Sequence, residues 1–431
     1  VYFLSALPRI TRWNLGFELL HGLAAGTLGG LILLAQVVAV GSLGDTGLAV
    51  TIMVAAMPAC ALLLPLWAAA AHRYRLQHLA VVSGTLRCLP FLAVGWVDHA
   101  LVLAGLVVLY YLFGGAHALA VPALYKYTYP DSHRGRVLGW LRWTQHLVAV
   151  PVVLGGAWLL DREPMSFQFL FPFGGVIGLL GMFAYAAIHI PHDDPKARAE
   201  VVELPSVGAL IRVWRQDTGF RIFQTTIFLT GAGFMMTRPI WLVLLRHPDP
   251  TLGFGLSGLE VSLLVMVMPL ALGGLTAPFW GALIDRTSPV AGRIAFAWMG
   301  LFAYLAMFIS FWWHWLALAY VAAILRGVVL GAAELATTTG NLYFAARAER
   351  AALYEAVSAV SQGLRGMSMP FLGQLLFQLI SVQVFLVAML LNVWSLVLAV
   401  RLWRLDARQR LPVLASPTDA AFRAADRPTP F

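Results

Sequence analysis

The sequence predicts an all-α integral membrane protein of about twelve transmembrane helices, arranged as two pseudo-symmetric six-helix bundles. Three observations predict this class. The composition is apolar with few charges, basic residues are confined to alternate loops, and a short pattern repeats at a fixed offset of 213 residues.

Of 431 residues, 60% are hydrophobic and 11% charged. A soluble domain carries about a quarter charged residues, and a soluble chain this apolar would expose large adhesive patches. Lipid tolerates the composition if backbone polar groups are satisfied within helices or a closed barrel. Barrel strands alternate over roughly ten residues, which the long apolar runs Leu101–Tyr111 and Val382–Leu391, the latter broken only by Gln383, exclude. The net charge of +9 reads as membrane anchoring, not as a nucleic-acid footprint, because no basic domain stands outside the apolar segments. Cys60 and Cys88 fall within apolar segments as small core residues, without disulfide or metal spacing. The sequence has no phosphate-binding loop, nucleotide domain or zinc pattern. Neither a cofactor nor an enzymatic or ATP-driven activity is therefore expected. Val1–Trp13 lacks the apolar core and cleavage site of a signal peptide, so the first membrane helix is expected to act as the insertion signal.

Spans of about 20 apolar residues are needed to cross a bilayer. They fall at 14–40, 47–71, 78–97, 100–123, 137–160 and 167–190, then at 221–245, 257–283, 290–311, 315–343, 351–378 and 381–403. Arg and Lys orient them. With the N-terminus inside, the inner segments carry Arg9, Arg12, Arg73, Arg75, Lys126, Arg134, Arg136, Lys196, Arg198, Arg212, Arg215, Arg286, Arg293, Arg347 and Arg350, whereas the outer loops carry only Arg162 and Arg246. A miscounted helix would invert this alternation partway along the chain. The expected organisation is an N-terminal half at 1–190, a cytoplasmic linker at 191–220, a C-terminal half at 221–404 and a disordered cytoplasmic tail at 405–431. Within the linker, Val207–Trp214 is amphipathic and is expected to lie on the membrane face. Both termini are expected in the cytoplasm, and the membrane is expected to be a bacterial inner membrane.

The repeat is the most specific signal. Pro65-Leu-Trp67-Ala-Ala-Ala-Ala-His72-Arg73 ends the second span, and Pro278-Phe-Trp280-Gly-Ala-Leu-Ile-Asp285-Arg286 ends the eighth. Pro, Trp and Arg recur in register at topologically equivalent places. Parallel repeats related by an axis along the membrane normal are a transporter design.

The segment from Gly281 through Asp285 and Arg286 to Gly292 and Arg293 resembles the signature loop of the major facilitator superfamily. Tyr129-Pro130-Asp131-Ser132-His133-Arg134-Gly135-Arg136 resembles that family's loop between its fourth and fifth helices. The first-half copy departs from the pattern, with His72 in place of Asp and Ala68 in place of Gly. The resemblance implies secondary transport of a small molecule by alternating access. It also implies gating roles for Gly281, Asp285, Arg286, Arg293, Arg73, Arg134 and Arg136.

Charges within lipid are costly and usually line a pathway. Arg87, His117, Arg142, His146, Arg238, Arg326, Gln362 and Arg365 are the candidate cavity residues, and Glu334 and Glu18 the candidate proton carriers. His117 taken alone reads as a hydrogen-bonded packing residue. Glu334 and Arg365 are placed at similar depth on neighbouring spans, as an expected salt bridge. The excess of deep arginines favours an anionic or polar solute. Two alternatives stand beside it: a transport-inactive scaffold or assembly factor on the same fold, and efflux of amphipathic compounds. The expected partners are the substrate, protons and the bilayer, and the expected state is a monomer. Gly22, Gly26 and Gly30 recur every fourth residue and predict a close helix contact. Gly273, Gly274, Pro269 and Pro278 predict a bend in the eighth span.

Overall fold

A computed structural model describes residues 9–45, 47–64, 66–67, 73–129, 131–189, 207–345 and 348–413. Within its helices, the side chains of Lys126, Arg134, Arg136, Arg142, Asp285, Glu334 and Arg350 lie outside the described residues, as does all of Arg347. The first half holds α1 (Arg9–Gly41), α2 (Leu48–Ala61), α3 (Leu76–Leu86), α4 (Ala100–Thr128), α5 (Asp131–Arg162) and α6 (Phe167–Ala186). Then follow α7 (Val207–Gln216), α8 (Thr218–Arg246) and α9, which comprises Gly258–Ser262, a π-helical turn Leu263–Val267 and Met268–Arg286. The chain continues with α10 (Pro289–Trp312), α11 (Leu316–Phe344), α12 (Ala348–Ile380) and α13 (Val384–Val413).

Among the described residues, nine stretches are long and apolar enough to cross a membrane. One of them, Leu353–Leu405, contains both α12 and α13, which turn at Ser381 with φ +51°. The shorter α2 and the more polar α5 supply the remaining crossings. The fold is two six-helix bundles. The last helix runs to Val413, past the boundary at 404 read from composition; residues 414–431 lie outside the described residues. We call the end at which α1 begins the basic end, and the opposite end the far end.

The glycine stripe of α1 is packed as its spacing predicts. A Cβ on Gly26 would fall 2.5 Å from the Gln145 carbonyl of α5, and one on Gly30 2.9 Å from that of Ala149. Only a bare backbone admits so close a crossing. In α9 the deviation from α-helix precedes the expected position: the π turn ends at Val267, just before Pro269. Proline lacks the N–H that would continue the regular ladder, and such turns relieve that mismatch. Gly273 instead packs against Gly331 of α11.

The repeat has a structural counterpart. Trp280 donates a hydrogen bond from Nε1 to the Val328 carbonyl of α11 at 2.9 Å. Trp67 packs its indole edge against Gly115 of α4, where a Cβ would stand 2.6 Å from Nε1. Trp67 and Trp280 are 213 positions apart, and so are their partners Gly115 and Val328.

The halves meet along α2 and α12, where Gly363 and Gly366 seat Leu62 and Pro58. Hydrogen bonds join the halves at the far end. There Asp161, closing α5, accepts the backbone N–H of Gly258 at 2.6 Å and of Leu259 at 2.8 Å. It also pairs with Arg246 at 3.4 Å. A carboxylate on the first amides of α9 meets donors that have no partner within their helix and the positive end of its dipole. The Arg246 guanidinium in turn covers Gly41 at the end of α1.

Candidate functional site

Polar side chains at membrane depth gather in three places. The first is inside the N-terminal bundle. Glu18 is 3% exposed and accepts a hydrogen bond from the Tyr129 hydroxyl. One helical turn further, the ring of His21 lies 5.3 Å from His117 and 4.9 Å from Tyr185. His117 Nδ1 stands 3.0 Å from the Ala80 carbonyl. A carbonyl only accepts, so this nitrogen carries the proton. His117 therefore has the packing partner expected of a lone histidine. His21 Nδ1 is buried without a hydrogen-bond partner.

Arg87 belongs to a break in the third span. Its helix ends at Leu86 and resumes at Leu89, with Pro90 in the first turn of the new segment. Pro90 cannot donate to the preceding turn, so the ladder is interrupted where the arginine leaves it. The guanidinium lies 5.4 Å from the centre of the Tyr110 ring, a cation–π arrangement. Its Nε has no hydrogen-bond partner.

The second group is inside the C-terminal bundle, where three arginines converge on α8. Arg326 donates to Thr237 Oγ1 at 3.3 Å and lies over the Phe234 ring at 4.2 Å. Arg293 donates to Thr230 Oγ1 at 3.2 Å. Arg365 donates to the Ile227 carbonyl at 2.8 Å and lies against Gly231, which lacks the Cβ that would exclude it. Thr226, Thr230 and Thr237 share one face of α8, and Ser395 of α13 joins them through Thr230 at 2.8 Å.

Two placements differ from the sequence expectation. Arg293 is 2% exposed within α10, rather than in a gating loop. Arg326 points into its own bundle, toward α8 and Met307 of α10. Both follow from helix phase: their rows face α8, whose hydroxyls offer acceptors that lipid does not.

The third group spans the interface. Arg238 of α8 and Arg87 of the break after α3 both lie within electrostatic reach of Tyr111 on α4. Tyr111 thus lies in the electrostatic field of an arginine from each half.

The remaining candidates are dispersed. Gln362 bonds Ser358 within α12 at 3.1 Å. His146 is exposed on α5, and Arg73 and Arg286 are exposed at the basic end. Gly281 has no neighbouring atom where a Cβ would stand. The expected pairing of Glu334 with Arg365 falls on a side chain outside the described residues, as do the roles read for Arg142, Arg134, Arg136 and Asp285. The residue reading missed Tyr111, Tyr129, Thr230 and Asp161. For Asp161 a signal existed: Ser257-x-x-Glu260 is a capping box, now seen with both its bonds, and it marks a helix start that could receive a further carboxylate.

This fold is that of a multi-pass membrane protein. The Major Facilitator Superfamily model matches residues 18–361, and the chain belongs to that family. Similar solved structures include the nucleoside transporter NupG, with TM-score 0.66 and 12% identity over 90% of this chain and 98% of that one. The peptide transporter POT in complex with sulfate has TM-score 0.67 and 14% identity over 90% and 95% of the two chains. A POT family transporter in complex with 5-aminolevulinic acid has TM-score 0.65 and 10% identity over 91% and 96%. At these identities the likeness establishes the fold. No curated protein matches the sequence.

Proposed function

We propose that this protein is a secondary active transporter of a small, polar, anionic organic solute, working by alternating access between halves at 1–190 and 221–404. The observation that carries the reading is a cation at membrane depth in each half: Arg87, whose guanidinium lies 5.4 Å from the Tyr110 ring of α4, and Arg238 of α8, within electrostatic reach of the adjacent Tyr111. Cations held at membrane depth are costly and mark pathways, and a ring of them attracts an anion. The complexes of similar transporters with sulfate and with 5-aminolevulinic acid fit a fold that admits such ligands.

With the basic end in the cytoplasm of a bacterial inner membrane, the far-end contacts of Asp161 close the outer side. The described arrangement is then closed toward the outside. Proton coupling is assigned to Glu18, whose Tyr129 partner comes from another helix of the same half, and to Glu334.

The test is uptake of labelled organic anions into proteoliposomes under an imposed pH gradient. Gradient-dependent accumulation that is lost in Arg238→Gln is the expected result. Accumulation of amphipathic cations, with no organic anion moved, would replace the reading with multidrug efflux. No movement of any solute, together with a co-purifying protein, would replace it with a scaffold.

A further inference from the structure

The linker helix α7 is built for an interface between water and lipid. Val207, Leu210, Ile211 and Trp214 fall on one face, and Arg212 and Arg215 flank and oppose it. Val207 is 72% exposed, so this apolar face extends beyond what the bundle covers. Such a helix lies in the headgroup plane, its apolar side toward the acyl chains.

Beside it is a groove of about 490 Å³, lined by Leu210 and Trp214 of α7, Phe228 of α8, and Val357, Val360 and Leu364 of α12. It opens on the lipid side. Gly363 and Gly366 turn the other face of α12 toward Pro58 and Leu62 of the first half, whereas Val360 and Leu364 are exposed. The groove walls are almost wholly apolar. The polar side chains are Thr225 and Ser361, and Thr225 returns its hydroxyl to the Arg221 carbonyl of its own helix at 2.8 Å.

Arg212 and Arg215 are exposed on α7, the helix that forms one wall of the groove. The nearby carboxylate Asp217 is already engaged. It accepts the Phe220 amide at 2.8 Å and the Tyr354 hydroxyl at 2.8 Å.

We propose that this groove binds an anionic phospholipid, one acyl chain lying between α7 and α12 and the phosphate meeting Arg212 and Arg215. An apolar slot at acyl depth with guanidinium groups at headgroup depth matches both parts of that molecule. A zwitterionic lipid matches the slot but brings its own cation to the arginines. Because α7 is the connection into α8, a lipid seated here bears on the joint about which the halves move.

The experiment uses the full chain, purified in detergent and incubated with equimolar phosphatidylglycerol and phosphatidylcholine of identical chains. Native mass spectrometry then reads the retained lipid. Wild type is expected to keep phosphatidylglycerol selectively. R212Q/R215Q is expected to lower that selectivity roughly tenfold, given the attraction of each basic side chain for an anionic headgroup. V360W fills the slot and is expected to reduce retention of both lipids. All these positions are exposed, and unchanged thermal unfolding confirms that each variant is folded. Equal retention of the two lipids by wild type overturns the proposal. So does selectivity that survives both variants, which would place the lipid elsewhere.

Discussion

Trp67 in the first half and Trp280 in the second stand at matched positions and meet matched partners, Gly115 and Val328. The buried charges nearby match nowhere. At the same offset, Arg293, Arg326 and Arg365 correspond to Ala80, Phe113 and Val152, while Glu18 and His21 correspond to Gly231 and Phe234. The N-terminal bundle encloses a carboxyl, two histidines and tyrosines; the C-terminal bundle encloses guanidinium groups on a hydroxyl-lined helix. The shared offset therefore governs helix packing, and each half adds its own polar chemistry. Substrate and coupling roles cannot be transferred between halves by symmetry.

The largest effect that would sharpen this contrast is on transport. Arg238→Gln removes the C-terminal half's cation within electrostatic reach of Tyr111. It should lower uptake of an anionic solute roughly tenfold or more, the scale of a lost charged contact, with Arg238→Lys retaining most of it. Equal activity in both variants and wild type would remove the interface from the pathway.

Next is the tie between the halves. Asp161→Asn should weaken far-end closure by about 1–2 kcal/mol, a value kept low because the pair is partly solvated. Spin-label distances between the far ends of α5 and α9 should then broaden toward longer separations. An unchanged distribution would mean that the α2–α12 contact alone holds this end shut.

Packing comes third. Gly26→Val and Gly115→Ala should each cost about 1–3 kcal/mol through overpacking. Gly274→Ala, with no atom within 4 Å of its added carbon, should stay within about 0.5 kcal/mol. Melting temperatures in detergent compare the three. Trp280→Phe should cost about 1 kcal/mol by removing the indole hydrogen bond to the Val328 carbonyl. A larger loss there than at Gly115 would mean that the hydrogen bond, not the shape, maintains the matched contact.

The candidate site was legible only in part. Arg87, Arg238 and Glu18 stand out in sequence because charge in an apolar run is rare and expensive. Tyr111 and Thr230 do not, since tyrosine and threonine are ordinary in membrane helices and acquire meaning through what faces them. Arg293 and Arg326 were visible as charges but not as members of one bundle interior. Depth along a helix can be counted from sequence, whereas azimuth relative to another helix cannot.

By itself the sequence determined that the chain crosses a membrane many times, where the crossings fall, and that the two halves repeat. Hydrophobic length, basic loops and register are properties of one dimension, imposed by the bilayer on any segment that enters it. Only the tertiary structure decided that Arg87 lies against the Tyr110 ring of α4, and that Asp161 caps a helix in the other half. Those contacts depend on helix rotation and crossing angle, set by side-chain packing between segments far apart in the chain.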